Sequence, residues 1–446
     1  MSKRSEIGRT IGHPLIIAAI FTCALLAYSL NWFYDTYGDD RVSGAERVFF
    51  GQVPYRDFWT LYAPGSFYLL AFLFRIFGQH VLVSTVAGSV FCAANACLCY
   101  LLVNKLVGKQ FPAVASAVIF FSAQYATGVY GTLGPYPPVV FFILITLNLI
   151  LVYYQTRVWT YLLGAGIVNG IAIVFKHDVG IYTSISILLG LGLSQILQSG
   201  VLSWRGIQDF SLKFAMYAAG VLVISVPVFG YFLAVAGPDM VQDLIVFPGT
   251  DFRFARPEKY PGILPIGIYD KWRLKMLFNF FSYLKFVIPF ALLLLGLFGL
   301  GICYIRNSNL YLPMGLTFVF AFLFHYGSAY IQINTNIMSM SMYAAFLGAL
   351  CYDELRRNTD IKAVLVEKFI AGLSVCIWVM AIVFQPAYEY LSRDQSDYIE
   401  LQLPKISGMY LERETARSLV GLTEFIQANV APGQKIFLGS HRHDSL

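Results

Sequence analysis

The sequence predicts an all-α polytopic membrane protein with about eleven membrane-spanning helices. Hydrophobic residues make up 58% of the 446 residues and charged residues make up 13%, against about 25% charged in soluble domains. Apolar runs of about 20 residues, the length that crosses a bilayer as a helix, recur along the chain. The acidic and basic residues collect in the segments that separate these runs.

The predicted spans follow one another along almost the whole chain. They are residues 12–33, 82–105, 111–131, 135–154, 159–176, 179–198, 212–236, 279–304, 309–327, 332–351 and 365–387. A shorter run, 64–77, is interrupted by Arg75 and predicts a helix that lies in the membrane interface. Apolar residues recur with helical spacing within 41–50, which predicts a second interfacial helix.

The basic residues of the short connections set the predicted orientation. Lysines and arginines gather on the cytoplasmic side of membrane proteins, and here they lie in connections that share a side with the N-terminus. We therefore expect a cytoplasmic N-terminus. Residues 34–81, the turn at Lys176, the loop 237–278 and the chain after 385 then lie on the outer face.

The composition changes near residue 389. This change divides the chain into a transmembrane domain, 1–388, and an extracytoplasmic C-terminal segment, 389–446. Within that segment, 415–429 has a helical pattern of apolar residues and 435–439 has the pattern of a strand. We interpret the segment as the start of a small α/β unit. One helix and one strand cannot enclose a core, so we expect the unit to be incomplete.

The first loop, defined here as residues 34–67, is the most polar part of the N-terminal hundred residues. Asp35, Asp39 and Asp40 lie at its start, directly before the predicted helix at 41–50. An N-cap is the structural interpretation, because a carboxylate there accepts hydrogen bonds from the first helical turn. A cap needs one acid rather than three, so the cluster also indicates a chemical role.

A motif follows these acids. It consists of Ala45, Arg47, Gly51, the run from Pro54 to Trp59, then Tyr62, Pro64, Gly65 and Phe77-Gly78. With the acids before it, the motif resembles the membrane glycosyltransferases of the C superfamily. It is closest to the branch that includes the protein O-mannosyltransferases and the lipid A aminoarabinose transferases. The turn Lys176-His177-Asp178 agrees with the resemblance more weakly.

The resemblance implies an enzyme that moves a sugar, a hexose or a pentose, from a polyprenyl-phosphate-linked donor. The acceptor is a glycan, a lipid or a protein on the outer face of the membrane. A carboxylate of the first loop acts as the base, and we rank Asp40 before Asp39 and Asp35. The resemblance also implies a place in the cytoplasmic (inner) membrane of a bacterium, with membrane lipid around the helices.

The departing phosphate requires cations close to the membrane surface. The candidates on the predicted outer face are Lys176, His177, Arg56, Arg253 and Arg256. Ion pairing with nearby carboxylates is the competing interpretation. Some relatives place a lysine just before the Pro-Gly step, where this chain has Tyr62-Ala63. Another cation must therefore hold the phosphate.

The first loop has to leave one helix at Gly51 and enter the next at a Pro-Gly step. The residues that we expect to shape this path are Tyr55, Asp57, Tyr62, Pro64 and Gly65.

The sequence predicts neither a cofactor nor a metal site. No nucleotide-binding or metalloprotease motif occurs in a suitable context. His441, His443 and Asp444 are metal-binding residue types, but their spacing in a terminal loop suits a metal poorly. A divalent-metal requirement stays open. No nucleic-acid partner is expected, because the net charge of +6 comes without a basic cluster.

Two other functions stay open. One is a transporter or flippase for a lipid-linked glycan, which needs polar groups at mid-membrane depth. The other is a non-catalytic protein that assembles envelope components and would tolerate changes across 35–57. The sequence does not specify the sugar, the acceptor, the stereochemistry or the oligomeric state.

Overall fold

The computed structural model describes residues 19–20, 22–23, 40–126, 133–199, 204–250, 287, 289–302, 304, 311–328, 333–356, 398–403, 405, 407 and 410–431. The bundle begins with α1 (Asp40–Phe49), α2 (Gly65–Phe77), α3 (Val81–Val107), α4 (Gln110–Ala126) and α5 (Tyr136–Thr156). It continues with α6 (Trp159–Phe175), α7 (His177–Ser199), α8 (Trp204–Ala236), α9 (Pro289–Ile302), α10 (Tyr311–Ser328) and α11 (Ile333–Arg356).

Four helices within the described residues are long and apolar enough to cross a membrane. They are Val81–Val107, Tyr136–Thr156, His177–Leu197 and Gly206–Ala236. The predicted architecture, a mostly helical membrane protein, is confirmed in this form. The number of eleven spans stays a prediction, because the run 365–387 and most of 12–33 lie outside the described residues.

Glycines let the helices of the bundle approach each other closely. A Cβ atom on Gly170 of α6 would lie 2.7 Å from the carbonyl oxygen of Val221 in α8. Gly166, one turn earlier, meets the carbonyl oxygen of Tyr217 in the same way. Small residues are favoured at such crossings, because lipid provides no hydrophobic drive and close packing must hold the helices together. Gly166 and Gly170 are therefore packing positions between α6 and α8.

The two helices predicted in and after the first loop are present as α1 and α2. Helix α1 buries Ala45 against α2, in a cluster with Leu70 and Phe74. Helix α2 begins at the Pro64-Gly65 step and ends at Gly78, whose positive φ of 90° suits glycine. Their position at the membrane interface stays a prediction.

The C-terminal segment contains a hairpin that the sequence patterns did not reveal. Strands β1 (Tyr398–Glu400) and β2 (Tyr410–Glu412) pair antiparallel, with Ile399 opposite Leu411. Helix α12 (Arg413–Asn429) follows directly and confirms the helix predicted at 415–429. The strand predicted at 435–439 lies outside the described residues, and the division of the chain at residue 389 stays a prediction.

Candidate active site

The connection between α1 and α2 is a loop tied to itself by hydrogen bonds. The hydroxyl of Tyr55 donates to the carbonyl oxygen of Tyr62 at 2.7 Å. The carboxylate of Asp57 accepts from the backbone N–H of Val53, also at 2.7 Å. Tyr55 is buried and has a positive φ of 69°, which is uncommon outside glycine. These bonds give the loop a defined shape between two helix ends.

Arg56 lies on the outside of this loop. Its guanidinium forms two hydrogen bonds with the neighbouring carboxylate of Asp57, at 2.9 and 2.7 Å. The side chain of Arg56 is 47% exposed. The hydrogen bond with Asp57 raises the pKa of Arg56, with smaller contributions from Tyr231 and Tyr68. The structure therefore shows an exposed ion pair at Arg56, near the end of α8.

Asp243 is a buried carboxylate that sequence reasoning missed. It belongs to a π-helix, Gln242–Val246, which follows α8 and a short helix. Burial raises the pKa of Asp243, although a hydrogen bond from the backbone of Thr60 partly opposes this shift. The contact joins the start of the second large loop to the first. Pattern analysis could not find it, since one acid after a membrane span gives no local signal.

The Lys176 turn, Lys176-His177-Asp178, joins α6 to α7. The ammonium of Lys176 lies 2.9 Å from the carboxylate of Asp178, and it stands 4.8 Å from the ring centre of Tyr136. Only 13% of the Lys176 side chain is exposed. Burial alone would lower the pKa of Lys176, but the interactions with Asp178 and Tyr136 together outweigh burial and raise it. Lys176 is therefore a permanent cation in a largely enclosed place.

His177 begins α7 beside this cation. Its Nδ1 atom is buried and has no hydrogen-bond partner among the described residues. The ring thus offers one nitrogen close to Lys176 that no protein group uses in this part of the structure.

The first loop and the Lys176 turn meet at the Pro-Gly step. A Cβ atom on Gly65 would lie 2.8 Å from the carbonyl oxygen of Val174 and 3.1 Å from Cγ of Phe175. These two residues directly precede Lys176. The start of α2 therefore rests on the end of α6, and two separate sequence motifs come together.

Arg41 completes this cluster, and it was not among the candidates taken from the sequence. Its guanidinium packs over Gly134, just before α5 begins, and lies 5.8 Å from the ring centre of Tyr62. Tyr62 stands near the position where some relatives carry a lysine. Arg41 contacts Gly134 and Lys176 contacts Tyr136, so both cations meet the start of α5. Arg41 and Gly134 are far apart in sequence, and only the path of α1 in the structure shows that they are in contact.

Helix N-termini converge on the same place. Neither α2 nor α5 has a hydrogen bond from a capping side chain at its N-terminus, and neither has an acid in its first turn. The free N–H groups and the dipole of a helix make its N-terminus partly positive. The starts of α2 and α5, together with Arg41 and Lys176, therefore form a positive cluster suited to an anion. The first turn of α7 adds the carboxylate of Asp178, which is paired with Lys176.

Of the three predicted acids, only Asp40 lies within the described residues. Asp40 is the first residue of α1 and immediately precedes Arg41. Asp35 and Asp39 lie outside the described residues, as do the predicted phosphate ligands Arg253 and Arg256. Over the described ranges, no group of three or more His, Cys, Asp or Glu side chains could hold a metal ion.

Part of the chain matches a known protein family in sequence. Residues 62–231 match the family model described as dolichyl-phosphate-mannose-protein mannosyltransferase. The matched region contains the Lys176 turn and begins after Asp40. Over these residues, the predicted resemblance to the protein O-mannosyltransferases among the membrane glycosyltransferases is confirmed.

Among solved structures, the chain is similar in fold to the apo oligosaccharyltransferase of Archaeoglobus fulgidus. The TM-score is 0.50 at 13% identity, and the alignment covers 84% of this chain and 55% of the archaeal one. The chain thus spans about half the length of that enzyme. ArnT from Cupriavidus metallidurans bound to undecaprenyl phosphate gives a TM-score of 0.48 at 12% identity, covering 87% and 72%. No curated protein matches the chain in sequence.

Proposed function

We propose that this protein is an integral membrane glycosyltransferase that moves a sugar from a polyprenyl-phosphate donor to an acceptor on the outer face. The observation that carries the proposal is the convergence of Arg41, Lys176 and uncapped helix starts next to Asp40. This arrangement suits a phosphate leaving group beside a carboxylate. The description of the matched family, which names a lipid-phosphate sugar, supports the same donor class.

The reaction assigns one task to the carboxylate. Asp40 removes the proton of the acceptor hydroxyl as its oxygen attacks the anomeric carbon of the sugar. Base catalysis of this kind typically accelerates a reaction by roughly 10²–10⁴-fold. The bond between the anomeric carbon and the phosphate oxygen breaks, and polyprenyl phosphate leaves. A phosphate leaves without protonation, so no acid partner is needed, unlike in a two-carboxylate glycosidase.

The cations stabilise the charge that grows on the departing phosphate. Lys176 acts as a compact charge and Arg41 as a planar fork that can bind two phosphate oxygens. Arg41 takes the place of the lysine that is missing before Pro64, since its guanidinium lies over Tyr62. N–H groups at the starts of α2 and α5 add fixed donors. Arg56, 47% exposed and paired with Asp57, is assigned no phosphate contact here.

The competing transport function finds less support. A transport path needs polar groups available at mid-membrane depth. Asn95 instead donates to the carbonyl oxygen of Pro137 at 3.0 Å, and Asn169 donates to that of Gly180 at 3.0 Å. These amides hold helices together, which favours chemistry at the membrane surface.

The proposal is tested by a transfer assay in membrane vesicles. The donors are polyprenyl-phosphate hexoses and pentoses labelled in the sugar, and membranes that lack the chain supply the acceptor. We expect Asp40→Asn to lower turnover by about 10²-fold or more, at equal protein amount. Asp209→Asn is the matched control, because Asp209 pairs with Lys213 in α8, away from the cation cluster.

The turnover of Asp39→Asn and of Asp35→Asn is measured alongside that of Asp40→Asn, because the base assignment ranks these three neighbouring acids. A large loss in one of them, with Asp40→Asn fully active, would move the base to that residue. Full turnover in all three variants would exclude a first-loop base.

A further inference from the structure

One face of α1 is covered by the C-terminal segment. Val42, Glu46 and Phe50 follow one another at intervals of four residues, so they share a face of the helix. Val42 packs against the hydrophobic cluster of Leu401 and Leu411 in the C-terminal segment. Glu46 forms an ion pair with Lys405, and the Lys405 ammonium lies 5.9 Å from the ring centre of Phe50.

The same segment also holds the start of α3. The backbone N–H of Val81 donates to the carbonyl oxygen of Lys405 at 3.3 Å. His80 caps α3 by accepting from the N–H of Leu82 at 3.1 Å through Nδ1. Its Nε2 atom then carries the proton and donates to the hydroxyl of Ser407 at 3.3 Å. Lys405 thus contacts both α1 and α3.

Helix α1 needs this support. It has ten residues, fewer than the roughly 12–15 that an isolated helix requires in water. Its opposite face packs on α2 through Ala45 and Val48. The position of α1 therefore depends on α2 on one side and on the C-terminal segment on the other. The N-terminal end of α1 carries Asp40 and Arg41.

We propose that the C-terminal segment, residues 398–431, is a clasp that sets the position of α1 at the cation cluster. Lys405 is the positioning residue of this clasp, acting through Glu46 and not on the substrate. This inference rests on the proposed function, because it assigns the clasp to the same reaction site. A clasp differs from a lid, because a lid would have to release α1 in each turnover.

Charge reversal tests the positioning role. Lys405→Ala should lower kcat about two- to fivefold, the range that one surface ion pair supports, and should leave the KM for the acceptor unchanged. Lys405→Glu should lower kcat further, because it repels Glu46. The double variant Glu46→Lys with Lys405→Glu should recover most of the loss. Arg417→Glu, an exposed reversal on α12, is the matched control and should keep wild-type kcat.

Backbone hydrogen exchange gives a readout that does not depend on transfer. In Lys405→Glu, peptides that cover 40–50 should exchange faster, and the double variant should restore slow exchange. If exchange responds while the wild type transfers no sugar, the proposed function fails and the clasp remains. If the wild type transfers sugar and Lys405→Glu keeps full kcat, the positioning role is overturned.

A crosslink separates a clasp from a lid. Glu46→Cys with Lys405→Cys, joined by a short thiol crosslinker, should retain turnover, because the linked arrangement is the active one. Each single cysteine variant with the crosslinker is the control for the native cysteines. Loss of turnover on crosslinking, recovered when the link is cleaved, would show that the segment must open and would contradict the clasp.

Discussion

At the residue scale, the candidate site depends on two cations, Lys176 and Arg41, and only the first was predictable from the sequence. Lys176 could be predicted, because it stands in a very short turn between two apolar runs. Arg41 could not, because its role follows from the direction of α1 towards Gly134. The resemblance indicated that this chain lacks the lysine that some relatives have before Pro64. It could not say which residue supplies the charge, since that depends on contacts between distant segments.

Replacing Lys176 tests the phosphate role directly. Lys176→Met should lower kcat/KM for the donor by roughly 10–100-fold, because a hydrogen bond to a charged group contributes about 1.5–3 kcal/mol. Lys213→Met is a close control: Lys213 is also 13% exposed and also pairs with an aspartate. Both variants leave a carboxylate unpaired, so both should lose stability. Equal donor kinetics in the two variants would remove Lys176 from the site.

The buried carboxylate of Asp243 gives a pH prediction. Burial raises its pKa above the ordinary 3.8, so the folded protein holds this proton more tightly than the unfolded chain. The stability that the neutral form provides is therefore lost as pH rises from about that value through the folded-state pKa. Asp243→Asn resembles the neutral form and should gain thermal stability relative to wild type as pH rises. A constant difference in Tm from pH 4 to 7 would contradict this assignment.

At the element scale, the short helices α1 and α2 were predictable and the hairpin was not. Helical spacing and the Pro-Gly step mark α1 and α2 over enough residues to show a period. Strands β1 and β2 have three residues each, too few for an alternating pattern. Their apolar residues pack with Val81, which lies far away in sequence, and with Ala416 of the helix that follows β2. Tertiary packing therefore determines the hairpin.

The contact between α2 and α6 provides a prediction at this scale. Gly65→Ala places a Cβ atom 2.8 Å from the carbonyl oxygen of Val174, so the start of α2 must shift. We expect a loss of about 1–3 kcal/mol in stability, measured by thermal unfolding in detergent, together with weaker donor binding. Gly230→Ala in α8 meets no atom within 4 Å and should be neutral or slightly stabilising. Similar losses in both variants would argue against a specific contact at Gly65.

At the scale of the whole molecule, the helices hold polar segments from distant parts of the chain in one place. The first loop, the Lys176 turn and the C-terminal segment come from opposite ends and the middle of the sequence. Hydropathy predicted the helices that separate them, and the charge bias predicted that they share a side. Neither pattern could predict that these polar segments touch, because their contacts depend on helix packing. The membrane part thus acts as a scaffold for a surface site.

The most direct test of this account measures both products of the reaction. Vesicles are supplied with a polyprenyl-phosphate sugar that is labelled separately in the sugar and in the lipid. A transferase of this kind should release one free polyprenyl phosphate for each sugar transferred, and Asp40→Asn should lose both products together. An intact lipid-linked sugar that crosses the membrane without releasing polyprenyl phosphate would contradict this prediction and would indicate a transporter.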